Sequence, residues 1–254
     1  MTFYEGEYIY ILDERGRKHW LGVSPNIVKI PSLGTIDGAR LMKLDDGDDF
    51  EIAGRRMNVF RPGTVELMTT VERGAQLITP KDASTIILEC DIPSASTVIE
   101  VGAGSGALSI ALLRSMPSHG ILYTIELRED FAKKAKKNIS RAGLADRWRC
   151  IIGDAHNTAL DLTADAMVMD IPVPWETLAG ADSMLRSGGR FCAYVPNTNQ
   201  LEKTVLALRN RNYVEVRALE NIQREMEVHA GGVRPSFEML GHTGYLIFAR
   251  KTRA

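Results

Sequence analysis

The sequence predicts an α/β fold: a mostly parallel, seven-stranded sheet with helices on both faces, preceded by a small β-rich unit. Two changes of texture carry this reading. Up to about Glu72, short alternating segments are punctuated by turn residues, with no long helical period. From about Gly74, compact apolar runs alternate with helix-length stretches, a rhythm that calls for right-handed crossovers and a parallel sheet covered on both sides. The expected division is residues 1–72 for the β-rich domain and 73–254 for the α/β domain.

In the first part, Tyr8 to Leu12, the turn Asp13-Glu14-Arg15-Gly16 and His19 to Val23 read as a hairpin. Further turns at Asp46-Gly47-Asp48 and Ala53-Gly54 bracket short strands around Phe50 to Ile52 and Met57 to Phe60, which suggests a small barrel or sandwich. In the second part, strands are expected at Thr97–Val101, Ile121–Glu126, Arg149–Ile152, Ala166–Asp170 and Gly189–Val195. Helices are expected at Lys81–Cys90, Gly106–Met116, Glu129–Ala142, Trp175–Leu185 and Thr198–Asn210. The tail supplies two more strands, Tyr213 to Arg224 and Tyr245 to Ala249, around a loop at Gly231-Gly232.

Composition narrows the class. With 254 residues, 44% hydrophobic and 25% charged, the chain can bury a full core and is neither disordered nor fibrous. No apolar run approaches a membrane span, and the start MTFYEGEYIY lacks the basic end and apolar stretch of a signal peptide. A soluble, cytoplasmic protein is expected. Cys90, Cys150 and Cys192 form no CxxC pair and read as reduced core residues. His19, His119, His156, His229 and His242 lack metal-ligand spacing, so no metal is expected. A net charge of -1 argues against holding nucleic acid by bulk electrostatics, and leaves room for a local basic face.

The first α/β strand runs into Glu100-Val101-Gly102-Ala103-Gly104-Ser105-Gly106-Ala107. Glycines at a strand-to-helix turn let the backbone bend sharply and approach a ligand closely. The next strand ends at Glu126, 24 positions beyond Gly102, where a carboxylate can accept from both ribose hydroxyls of an adenosine. Gly102, Gly104 and Ala107 also satisfy GxGxxG/A, so a nicotinamide dinucleotide has to be weighed. A phosphate-binding GxxxxGK[ST] loop is absent. Glu100 favours S-adenosylmethionine: an acid just before the turn is awkward beside a pyrophosphate, but suits the cationic methionine end of that donor. Asp154, in Gly153-Asp154-Ala155 at the third strand's end, is placed to accept from the exocyclic amine of the cofactor adenine. Asp170 ends the fourth strand and opens Asp170-Ile171-Pro172-Val173-Pro174-Trp175. Ligands in such sheets bind beyond the carboxyl ends of strands, so Asp170 is expected in the cofactor crevice on a loop stiffened by prolines.

That segment resembles the D-x-P-x-P-W motif of the tRNA adenine-58 N1-methyltransferases, and Glu100 to Gly106 is similar to their cofactor loop. Gln76 to Asp82 (QLITPKD), Arg224 to Val228 (REMEV) and Gly241 to Tyr245 (GHTGY) also resemble segments of that family, from about residue 70 to the C-terminus. The resemblance implies a Rossmann-like class I methyltransferase domain and a homotetramer. It implies methyl transfer from S-adenosylmethionine to N1 of adenine 58 in the tRNA T-loop; some archaeal members also modify position 57. Carried over, Glu100, Gly102, Gly104, Ser105, Gly106, Ala107, Leu108, Glu126, Phe131, Asp154, Ala155 and Asp170 would hold the cofactor, with Asp170 catalytic. Two positions depart from the family: Thr79 where Tyr or His is usual, and Met226 where bacterial-type members have Trp. Basic stretches (Arg128, Lys133, Lys134, Lys136, Lys137 and Arg141; Arg209, Arg211, Arg250, Lys251 and Arg253) are candidates for RNA phosphates or simply solvated faces. Competing readings are a methyltransferase for another substrate, an NAD-dependent oxidoreductase and a non-catalytic RNA-binding subunit.

Overall fold

The computed structural model describes residues 1–72 and 77–253; Gln76 of the QLITPKD segment lies outside the described residues. The chain groups into two compact units. One spans Met1–Leu67 together with Arg141–Gly143, and the other holds the rest of the described chain.

In the first unit, β1 (Tyr8–Leu12), β2 (Lys18–Gly22), β3 (Ile27–Ile30), β4 (Gly34–Asp37), α1 (Gly38–Leu41), β5 (Asp49–Ile52) and β6 (Arg55–Phe60) follow in order. The sheet β2-β1-β6-β5 is antiparallel, and β3 and β4 form a separate hairpin. Alternation decides the faces: Ile9 and Ile11 are fully buried, with Leu21, Met57 and Val59 beside them. Tyr8, Tyr10, Trp20 and Phe60 form an aromatic ladder across the other face. The β1–β2 turn closes because Asp13 Oδ1 accepts from the backbone N–H groups of Arg15 and Arg17, each at 2.9 Å. The β3–β4 hairpin is absent from the sequence reading: four-residue strands flanked by Pro25 and Pro31 are too short to display a period.

Helix α2 (Thr64–Thr69) leads to α3 (Pro80–Glu89), β7 (Thr97–Val101), α4 (Ala107–Ser115), β8 (Ile121–Glu126), α5 (Glu129–Arg141), β9 (Trp148–Ile152), β10 (Ala164–Met169), α6 (Pro174–Met184), β11 (Leu185–Val195), α7 (Thr198–Arg209), β12 (Tyr213–Glu220), β13 (Met226–His229), β14 (Gly232–Pro235) and β15 (Tyr245–Lys251). The seven-stranded sheet has the order β12-β15-β11-β10-β7-β8-β9. The five strands from β11 to β9 are parallel neighbours, and β15 runs antiparallel between β11 and β12. The central strands are buried throughout, as their near-continuous apolar runs require. Helix α5 turns Ala132, Ala135 and Ile139 inward at helical spacing and its lysines outward.

The strand order reverses at β7. From there the chain steps through β8 to β9 on one side, then crosses to β10 and β11 on the other. Right-handed crossovers therefore put α4 and α5 on one face and α6 on the opposite face, leaving a crevice beyond the carboxyl ends of β7 and β10. The β13–β14 hairpin, which the sequence reading treats as a loop, stands as its own two-stranded sheet.

Candidate active site

A cavity of about 530 Å³ occupies that crevice, within the range of ligand pockets. Of the residues expected to bind the cofactor, Gly102, Gly104, Glu126, Phe131, Asp154, Ala155 and Asp170 line it. Ser105, Gly106, Ala107 and Leu108 do not; they close the turn and open α4.

The glycines divide the work of the turn. Gly102 (φ +92°) is pressed against the backbone of Asp170, where a Cβ would run into the Asp170 carbonyl oxygen. Gly104 (φ +51°) has nothing within 4 Å of where a Cβ would stand, so it offers open backbone to a ligand. A Cβ built on Gly106 (φ +82°) would stand 3.1 Å from the Cα of Ala135, which makes Gly106 a packing residue for α4 against α5. Glu126 ties the turn to β8: Oε2 accepts from the N–H groups of Ala103 (2.8 Å) and Gly104 (3.3 Å), and Oε1 from that of Arg128 (2.8 Å). A carboxylate has about four acceptor positions, so lone-pair capacity remains for a ribose hydroxyl.

At the β9 end, Asp154 Oδ1 accepts from the backbone N–H of His156 (3.0 Å) and faces its Nδ1 at 2.8 Å. These contacts hold the Asp154 carboxyl below its usual range. Phe131 presents one ring to the cavity, with the Arg128 guanidinium 3.8 Å from the ring centroid. Leu127 and Ala155 add apolar side chains to the same lining.

Asp170 sits where β10 ends, its backbone N–H donating to Val101 O at 2.8 Å. Among the described residues its carboxylate has no hydrogen-bond partner. Burial, and then the nearby charge of Glu126, push it up to about 7. Tyr194, Pro196 and Gln200, from the end of β11 and the start of α7, complete this side. Sequence reasoning missed these three, although the rule that ligands lie beyond strand ends applies to β11 as well as to β10.

Glu100 requires a correction. Its side chain lies outside the cavity lining and is fully buried, with Oε2 accepting from Ser109 Oγ (2.6 Å) and Thr124 Oγ1 (2.8 Å). Trp148 Nε1 extends the chain by donating to Thr124 Oγ1 at 2.7 Å. Burial pushes the Glu100 carboxyl up to about 8; the two hydroxyls pull down, and Asp170 and Glu126 push further up. Glu100 therefore supports the turn from beneath through α4 and β8, apart from the residues that line the cavity. Because its folded pKa is raised, the native state holds the proton more tightly than the unfolded chain. Stability therefore falls as pH rises from the ordinary value of 4.5 through about 8. The slope is at most about 1.4 kcal/mol per pH unit. We expect Glu100→Gln to flatten this dependence and to melt above wild type at pH 8.5. Parallel melting curves from pH 5 to 9 would refute the buried titration.

Two family-like segments meet in one polar cluster. Asp82 is fully buried; its Oδ2 accepts from Thr79 Oγ1 (2.9 Å) and Thr243 Oγ1 (2.7 Å), and Lys81 Nζ lies 3.0 Å from Oδ1. Lys81 Nζ also donates to Asn221 O at 2.9 Å, and Tyr194 Oη donates to Thr243 O at 2.5 Å. The Pro80-Lys81-Asp82 and Gly241–Tyr245 segments thus support the Tyr194 wall of the cavity. Gly244 allows it, since a Cβ there would collide with the Tyr194 ring. Thr79 caps this cluster instead of presenting a ring.

A glycine turn at the strand-order reversal, a carboxylate ending the next strand and an antiparallel seventh strand together define an S-adenosylmethionine-dependent methyltransferase. Comparison with known proteins narrows the class. Residues 58–233 match the family described as tRNA methyltransferase complex GCD14 subunit, and the chain belongs to that family. It is 30% identical, over 96% of its length and 94% of the relative's, to the tRNA (adenine(57)-N(1)/adenine(58)-N(1))-methyltransferase TrmI of Methanocaldococcus jannaschii. The tRNA (adenine(58)-N(1))-methyltransferase TrmI of Thermus thermophilus is also 30% identical, over 79% of each chain. Among solved structures, the tRNA (m1A58) methyltransferase TrmI of Aquifex aeolicus superposes with a TM-score of 0.80 at 26% identity, covering all of both chains. A SAM-dependent O-methyltransferase of Thermotoga maritima gives 0.89 at 27%, covering 100% of this chain and 96% of that one.

Proposed function

We propose that this protein methylates N1 of adenine in the T-loop of tRNA, at position 58 and, as in the archaeal relative's name, at the adjoining position 57. The observation that carries the reading is the unpartnered Asp170 carboxylate in the cavity wall, on the proline-stiffened loop after β10, in a chain of this family. When bound, S-adenosylmethionine supplies an electrophilic methyl group on a sulfonium. Gly102 and Gly104 would give it close backbone, Glu126 would accept from its ribose, and Phe131, Asp154 and Ala155 would hold its adenine.

Adenine N1 has its own lone pair, so the chain need not supply a nucleophile. Asp170 accepts from the N6 amine, orients the ring and stabilises the positive charge that spreads towards N6 as N1 gains its methyl group. The target base must leave the folded tRNA elbow, at a cost of roughly a few kcal/mol. Exposed basic side chains on α5 are suited to offset this. Lys133–Glu129 (2.8 Å) and Lys137–Glu72 (2.5 Å) are surface pairs of the kind that open readily to phosphates. Two residues of the later basic clusters are structural instead: Lys251 donates to Leu185 O (2.5 Å), and Arg211 pairs with Asp182 (2.6 Å).

The likeness to an O-methyltransferase favours a second reading, in which Asp170 is the base for a hydroxyl acceptor. Incubation with labelled donor and unmodified tRNA, followed by mass mapping of nucleosides, separates the two. We expect 1-methyladenosine in the T-loop; label confined to ribose, or none in tRNA, would exclude the adenine reading. A cytoplasmic homotetramer is the assembly this reading carries; among the described residues no helix is long and apolar enough to cross a membrane.

A further inference from the structure

Resting on the adenine reading, we propose that His242 is a positioning residue for the acceptor: as an imidazolium it donates to Glu220 and to Pro196 at once, and so fixes the cavity wall that follows β11. His242 Nδ1 lies 2.6 Å from Glu220 Oε1, and Nε2 lies 2.8 Å from the carbonyl oxygen of Pro196. A backbone carbonyl and an ionised carboxylate only accept, so both ring nitrogens must carry protons, and only the cationic ring has two. Pro196 is exposed and lines the cavity, so it stands at the mouth, between the last residue of β11 and Asn197, the N-cap of α7.

The ring can act on Pro196 because its own segment is anchored. Next to it, Thr243 O accepts from Tyr194 Oη, and Thr243 Oγ1 donates to the fully buried Asp82 at 2.7 Å. Lys81 Nζ donates to the same hydroxyl at 2.6 Å. The His242 ring packs on that of Tyr245, with centroids 4.9 Å apart, and Gly244 lets the segment press against Tyr194. Residues 241–245 thus hold two lining residues, Tyr194 through a backbone carbonyl and Pro196 through a side chain. Of these two ties, only the second depends on a proton that can be lost near neutral pH.

Among the described residues, the charged groups that face the ring are Glu220 of β12 and Lys81 of α3. The Glu220 contact, and then the Pro196 carbonyl, raise the imidazole above its ordinary 6.5; the Lys81 charge, itself 3.0 Å from Asp82, pulls the other way. The imidazolium is therefore complete below 6.5 and is lost as pH rises through the raised value. The neutral ring keeps one proton, which stays on Nδ1 because the bond to a carboxylate is the stronger. Nε2 then turns a lone pair on the Pro196 oxygen, and the tie becomes a repulsion. The glycine turn, Glu126 and Asp154 belong to β7, β8 and β9, across β10 from the end of β11. Loosening Pro196 should disturb the acceptor and spare the donor.

Two substitutions separate the two bonds. His242→Gln puts an amide where Nε2 stands and keeps a donor to Pro196 that does not titrate; the shorter His242→Asn reaches Glu220 alone. Single-turnover methylation of unmodified tRNA is followed from pH 6 to 9 in wild type and both variants, beside calorimetric donor affinity and a nitrogen-15 NMR titration of the His242 ring. We expect His242→Asn to react about fivefold more slowly than wild type at pH 7 with donor affinity unchanged, and His242→Gln to stay within about twofold. Wild type should hold its plateau until the ring titrates and then lose about fivefold, a step absent from His242→Gln. Equal slowing in both variants, or none in His242→Asn, would reduce His242 to packing on Tyr245 and overturn the proposal. A donor affinity that falls with the rate, or a ring already neutral at pH 6, would overturn it too. If wild type fails to methylate adenine in tRNA at all, the underlying reading falls instead, while the NMR titration still reports whether both nitrogens carry protons.

Discussion

Asp170→Asn is expected to lower turnover about 100-fold or more while leaving donor affinity within a few-fold of wild type. The amide keeps the size of the side chain and one acceptor, but removes the charge that meets the cation forming on the adenine ring. A preorganised group of this kind in a water-poor site is worth on the order of 3–4 kcal/mol in the transition state. The pH profile supplies a second signature. Burial and Glu126 raise the carboxyl to about 7 in the free protein, so below that pH it is progressively protonated and cannot serve as anionic acceptor. Wild-type kcat/KM should therefore fall on the acid side of about 7 and level off above it. Positive charge brought into the cavity favours the ionised form, so the corresponding limb of kcat should lie at lower pH. Asp170→Asn should lack the limb altogether. A variant with wild-type turnover, or one that keeps the acid limb, would remove Asp170 from the chemistry.

How far the sequence carried this is clearest at particular residues. Strands β7 and β8 lie where the sequence reading puts them, Thr97–Val101 and Ile121–Glu126, because strands buried on both faces read as unbroken apolar runs. The five long helices fall within one residue of expectation at either end, since their periods are regular and Asn197 and the prolines at 80 and 174 mark starts. The two unforeseen hairpins, β3–β4 and β13–β14, have strands of only four residues, and their pairing is visible only in three dimensions. In the cavity, Asp170 was legible because it lies in a motif. Gln200 was not, because no motif marks the start of α7 as part of the cavity wall. Glu100 misled for a related reason. A strand alternates its faces, and an acid one residue from the end of β7 points to α4 and β8, not to the turn that follows it in sequence.

The glycine turn gives the second large effect, and its two glycines should fail in different ways. At Gly102 the backbone has φ +92°, and a Cβ would enter the space of the Asp170 carbonyl oxygen and stand 3.2 Å from Ile171 Cγ2. The same junction carries two backbone bonds, Asp170 N–H to Val101 O (2.8 Å) and Gly102 N–H to Ile125 O (2.9 Å). Neither strand end can retreat without breaking the ladder, so Gly102→Ala should cost about 2–4 kcal/mol of stability from overlap and left-handed strain together. It should also displace Asp170 along with the donor site, lowering turnover more than 100-fold and donor affinity at least tenfold. At Gly104 the backbone has φ +51° and open space beyond, so an alanine methyl meets no protein atom within 4 Å. Gly104→Ala carries only the left-handed strain, about 1 kcal/mol, and should melt within a few degrees of wild type, yet bind the donor at least tenfold more weakly, because its methyl group stands where ligand backbone contact is made. Thermal melting and calorimetric titration with S-adenosylmethionine on both variants resolve the two behaviours. Wild-type donor affinity in Gly104→Ala would mean that the cofactor does not lie over this turn.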